Sequence, residues 1–107
     1  MAFRGDIETL ILATLSSGPQ HGYEITRRVN GLEGMKIQDG QLYPILHRLE
    51  TEAMIEAEWV PQEGKPARKV YRLTENGNKK LEEKRADWEA FARSVASLLA
   101  KPEVQNA

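Results

Sequence analysis

The chain has 107 residues, 40% of them apolar, and a formal net charge of −1. It is long enough for one domain with one small core, and it is not basic enough overall for charge alone to mark it as a nucleic-acid binder. It has no cysteine, which excludes disulfides, cysteine-held zinc and thiol catalysis.

The start, MAFRGDIETLILATLSSG, carries an acidic flank and helical periodicity, unlike a signal peptide. No apolar run approaches a membrane span, so the expected location is the cytoplasm, with no membrane partner. Asp6 is placed to cap a first helix from Ile7, with Ile7, Leu10, Ile11 and Leu15 as its apolar face and Leu12 in a second apolar direction. Ser16-Ser17-Gly18-Pro19 ends it. A second helix is predicted from about His21 to Leu32, with Tyr23, Ile25, Val29 and Leu32 apolar and Arg27 and Arg28 on the wet side. Gly31 to Gly34 reads as its stop.

The third helix is QLYPILHRLE, residues 41–50, whose Leu42, Ile45, Leu46 and Leu49 fall at i, i+3, i+4 and i+7. Pro44 is tolerated if the helix starts near Gly40 or Gln41, which puts the proline at the end of the first turn. Gln41, Tyr43, His47 and Arg48 then remain on the outer face. Gln can pair with adenine, Arg with guanine and a tyrosine hydroxyl with phosphate. A plain solvated face, with Arg48 paired to Glu50 or Glu52, is the competing reading.

The period then changes. Ile55, Ala57 and Trp59 alternate with Glu56, Glu58 and Val60, a strand pattern, and Val70 to Leu73 reads as the returning strand. Pro61 to Pro66 reads as the turn between them. Lys65 to Arg72 holds four basic residues and no acid. Lys65, Arg68 and Lys69 stand at or beside the tip, where clustered charge suits phosphates or the minor groove; solubility and edge protection is the plainer alternative. Arg72 lies further from the tip.

Thr74 is placed to cap a long last helix. Leu81, Trp88 and Val95 are seven apart, as are Phe91 and Leu98, with Leu99 alongside. That is a coiled-coil seam, and in so short a chain it calls for a second copy. Two-fold symmetry would present two recognition helices to two half-sites. The expected layout is mainly α with a small β-hairpin: a winged helix-turn-helix over 1–74, a dimerisation helix over 75–101 and a frayed tail over 102–107.

HGYEI at 21–25, GQLYPILHRLE at 40–50, MIEAEW at 54–59 and ARKVYRLTENG at 67–77 together resemble the PadR family of bacterial transcriptional regulators. The single C-terminal helix matches its short-tailed branch. The resemblance implies a homodimeric repressor of double-stranded DNA that binds an inverted repeat. Gln41 replaces the small residue common in the family before LYP, which leaves base preference open. Some members hold planar aromatic ligands between subunits on a tryptophan of the last helix. By that resemblance Trp88 is the candidate for stacking a small aromatic effector, with core or dimer packing as the plainer role.

An enzyme is not expected, nor a cofactor or metal. The two histidines, His21 and His47, belong to different helices, and no phosphate loop, HExxH or nucleophile motif occurs. A winged-helix protein-interaction module without strong DNA affinity is the alternative, and the basic wing argues against it.

Overall fold

The structure is a computed structural model, and it describes residues 6–102. Seven elements follow in order: α1 (Ile7–Leu15), β1 (Gln20–His21), α2 (Gly22–Asn30), α3 (Asp39–Thr51), β2 (Ile55–Gln62), β3 (Lys65–Leu73) and α4 (Glu75–Leu99). The strands form one antiparallel sheet in the order β1-β3-β2, so the hairpin gains a short third strand. Ile11, Leu12 and Leu15 of α1, Ile25 and Val29 of α2, and Leu42, Leu46 and Leu49 of α3 fill the core with Ile55, Tyr71 and Leu81. This is the predicted winged-helix layout.

Asp6 stands at the N-cap of α1 as expected, but its side chain makes no capping bond. Its Oδ1 accepts from the Thr9 hydroxyl at 2.6 Å and from Lys84 Nζ at 3.3 Å, so it links α1 to α4 instead. α2 is shorter than its periodicity implies. Tyr23 and Leu32, assigned above to its apolar face, are exposed. The reason lies in Asn30, whose side chain accepts from Ile37 N–H at 2.6 Å and donates to Ile37 C=O at 2.9 Å. That clamp ends the helix and delivers Ile37 to the core in place of Leu32.

α3 begins at Asp39, so Pro44 lies inside the helix and beyond its first turn. The missing N–H deprives only the carbonyl of Gly40, four residues back. Gly40 is exposed, where solvent can satisfy that carbonyl, and the helix continues to Thr51.

The turn of the hairpin is also tighter than predicted, at Glu63-Gly64, with Gly64 at φ 69 in the left-handed region. Both prolines therefore lie in strands. β2 is an edge strand with a register shift at Pro61, and β1 pairs only as far as Val70, so Pro66 has no third strand to fail.

Thr74 caps α4 as its position predicts, accepting from Gly77 N–H at 3.0 Å. Its hydroxyl also donates to the Ala53 carbonyl at 2.6 Å, and its backbone N–H donates to the Met54 carbonyl at 3.2 Å. Gly77 is packed so closely on that Met54 carbonyl that a Cβ would overlap it. α4 thus springs from the turn between α3 and β2. The 25 residues of α4 extend about 38 Å at the usual helical rise. The radius of gyration is 17.7 Å, against about 13 Å for a compact chain of this length. The far part of α4 therefore projects beyond the core. The tail expected to fray lies, after residue 102, outside the described residues.

Gly77→Ala should lower stability in urea unfolding by about 1–3 kcal/mol through overpacking, although alanine is the better helix former. Gly40→Ala meets open space and should be neutral or stabilising by up to about 1 kcal/mol.

Candidate nucleic-acid interface

With Leu42, Leu46 and Leu49 buried, α3 turns Gln41, Tyr43, His47 and Arg48 outward, and all four are exposed. Their surroundings differ. Gln41 Oε1 accepts from the Gln38 N–H at 3.1 Å, which fixes the side chain at the helix start and leaves its NH2 group to donate outward. Tyr43 leans across to α2: a Cβ added to Gly22 would meet the Tyr43 hydroxyl at 2.8 Å. Only glycine there lets the ring lie against the first turn of α2.

Arg48 is drawn to the other side of the helix. Its guanidinium meets Glu8 of α1 at 2.9 Å and Glu52 at 3.5 Å. A phosphate or base would have to compete with two carboxylates for it. His47 has no such partner among the described residues.

The hairpin cations divide in the same way. Lys65 and Arg68 are exposed and form no ion pair among the described residues. Lys69 Nζ lies 3.2 Å from Glu50 of α3 and 5.4 Å from the centroid of the Tyr71 ring. Partial burial pulls its pKa down, but the bonds to Glu50 and Tyr71 outweigh this and hold it above the usual lysine value. Burial raises the Tyr71 hydroxyl pKa in turn, against the pull of the Lys69 charge. Arg72 pairs with Glu56 at 2.8 Å and Glu58 at 3.6 Å, which occupies it away from the tip.

One groove brings several of these groups together. It runs between the start of α2 and the hairpin and is lined by His21, Tyr23, Tyr43, Trp59, Arg68 and Lys69. His21 caps α2, its Nδ1 accepting from Glu24 N–H at 3.3 Å, and its ring stacks with Tyr23 at 6.1 Å. Sequence reasoning gave no binding role to Tyr23 or Trp59. The available signal was geometric: Ile55, Ala57 and Trp59 share one strand face, and the outer end of that face runs past the core.

On α4 the predicted seam separates. Leu81 is only 3% exposed and belongs to the core of its own chain, so it is not available to a second copy. The second turn of α4 is still packed beside the junction with Met54, and the heptad count could not register that. Trp88, Phe91, Leu98 and Leu99 are exposed, with Val95 partly covered. Trp88 and Phe91 lie 5.9 Å apart with their rings tilted by 48°.

Among the described residues, no cluster of three or more His, Asp or Glu could hold a metal ion, and no helix is long and apolar enough to cross a membrane. The model of the transcriptional regulator PadR-like family matches residues 11–83. Transcriptional regulator Rv3488 of Mycobacterium tuberculosis is 35% identical over 86% of this chain and 84% of its own. The crystal structure of a PadR-like transcriptional regulator from Bacillus cereus superposes with a TM-score of 0.84 at 30% identity, covering 94% of this chain and 97% of that one. A PadR family transcription regulator from Clostridium difficile gives a TM-score of 0.80 at 28% identity, over 88% and 98% of the two chains. Sequence and fold agree from the core of α1 into α4, and the chain belongs to the PadR-like family of transcriptional regulators.

Proposed function

We propose that this protein is a homodimeric, cytoplasmic repressor that binds an inverted-repeat operator in double-stranded DNA. α3 enters the major groove with Gln41, His47 and, once released from its carboxylates, Arg48. The hairpin is the wing, and Lys65, Arg68 and Lys69 meet phosphates beside it. One observation carries the reading: the start of α2, Tyr43 of α3 and Arg68 and Lys69 of the hairpin line a single groove. A duplex laid along it would meet positive charge and helix N–H groups on both sides.

Two copies are needed to cover α4. Leu98 and Leu99 are 86% and 75% exposed, an apolar end that a lone copy leaves in water. Phe91, Val95 and Trp88 extend the same contact, and residues 75–101 act as the dimerisation segment. On the family resemblance, a planar aromatic effector stacked on Trp88 between the subunits would alter the angle of the long helices and so the half-site spacing.

The protein-interaction reading draws on the overall charge of −1 and on the ion pairs that occupy Arg48 and Lys69. It offers no reason for Lys65 and Arg68 to stand exposed together.

Fluorescence anisotropy with a labelled duplex from upstream of the protein's own gene, against a scrambled duplex at several salt concentrations, tests the proposal. Tight, salt-dependent preference for the native duplex is expected. No binding to either duplex would move the reading to the interaction module. Lys65→Ala and Arg68→Ala should each weaken binding to all sequences and flatten the log–log salt slope by about 0.9. Gln41→Ala should instead alter base preference, by about 1–3 kcal/mol at one position. Removing the carboxylate that competes for Lys69, by Glu50→Gln, should steepen the salt slope. An unchanged slope would mean that Lys69 meets no phosphate. Leu98→Lys combined with Leu99→Lys should give monomers in light scattering and lose operator affinity; dimers of unchanged size would refute the α4 contact.

A further inference from the structure

Trp59 has no part in the DNA contacts proposed for α3 or for Lys65, Arg68 and Lys69. Its place on β2 opposite Lys69 puts it on the same sheet face as buried Ile55 and Tyr71, yet it is 67% exposed. The hairpin has outrun the core there, and no aromatic partner for the indole occurs among the described residues. A large apolar ring held in water on a rigid strand is costly to keep and well suited to a contact.

Its neighbours limit what that contact can be. Trp59 shares its groove with Arg68 and Lys69 of the hairpin, with His21 at the start of α2 and with Tyr43 of α3. His21 uses Nδ1 as an acceptor for the Glu24 N–H, so its ring proton sits on Nε2 and is left to donate away from the helix backbone. The groove therefore offers donors and positive charge at its walls and an apolar plate at its outer end. No carboxylate is among the residues that line it. A neutral peptide or ligand would leave the exposed Arg68 charge unanswered. One strand of a duplex answers it, because phosphates alternate with deoxyriboses whose carbon faces are apolar. The bases of a duplex are stacked inside, so a plate on the wing meets sugar before it meets base.

We propose that Trp59 is a DNA-contact residue, its indole packed on a deoxyribose of the strand whose phosphates bind Arg68 and the start of α2. This rests on the DNA-binding reading above. It makes the wing more than a source of charge: the sugar contact is insensitive to salt, and it sets how far along the strand the wing comes to rest.

Hydroxyl-radical footprinting reads deoxyribose exposure directly and separates the two proposals. The wild-type protein on its operator duplex should protect a short run of sugars beside each half-site. Trp59→Ala should restore cleavage in that run while protection from α3 persists, and should cost about tenfold or more in affinity. The loss should be nearly the same at low and high salt, unlike that of Arg68→Ala. Trp59→Phe should keep most of both affinity and protection. Because the side chain is outside the core, both variants should match the wild type in thermal melts by circular dichroism. Wild-type affinity within twofold and an unaltered footprint for Trp59→Ala would overturn the sugar contact and leave DNA binding intact. Failure of the wild type to protect any duplex would overturn both.

Discussion

The contact between the Met54 carbonyl and Gly77 governs the arrangement of everything that reaches outward. α3 ends just before Met54, β2 starts just after it, and α4 is anchored against it through Thr74 and Gly77. α3, the wing and the long helix thus meet within a few residues, and Ala53 takes a left-handed φ of 61 to let the chain turn there. On the dimer reading, a rotation of α4 about this joint would be passed to α3 and β2 through these contacts. Under the proposed dimer, a signal acting on the two α4 helices would have a short path to the surface proposed to face DNA.

Charge is organised by pairing. With a net charge of −1, the protein cannot rely on its overall field to draw a polyanion. Acids instead occupy selected cations: Glu8 and Glu52 hold Arg48, Glu50 holds Lys69, and Glu56 and Glu58 hold Arg72. Of the cations on α3 and the hairpin, Lys65 and Arg68 are left uncompensated among the described residues, beside the hairpin tip. Exposed pairs of this kind contribute little to stability. Their effect is to restrict where strong positive potential appears.

Much of this was legible in the sequence. α1 and α3 announced themselves by spacing because each sets an apolar stripe on the core, and α4 by a heptad seam of which only Leu81 is buried there. The outward placement of Gln41, Tyr43 and His47 followed from that stripe, as did the exposure of Lys65 and Arg68 from the composition of the hairpin. What escaped depended on contacts between residues far apart in the chain. Strand β1 has two residues, too few for alternation to show. The loss of Leu32 to solvent follows from the Asn30 clamp on Ile37. Arg48 finds Glu8 forty residues away. Leu81 fits the heptad but is claimed by the core, and Trp59 fits the core face of its strand but lies beyond the core's reach.

The projecting end of α4 has a consequence for gene dosage. An isolated helix end with exposed Leu98 and Leu99 gains little from its own chain, so on the dimer reading its order depends on meeting a second copy. Folding of that end, pairing and DNA competence are then linked by mass action. Below the dissociation constant of the dimer, the number of competent readers grows with the square of the number of chains. A twofold change in synthesis then alters operator-bound protein by about fourfold. A regulator built this way converts a graded supply into a sharper decision without any added component.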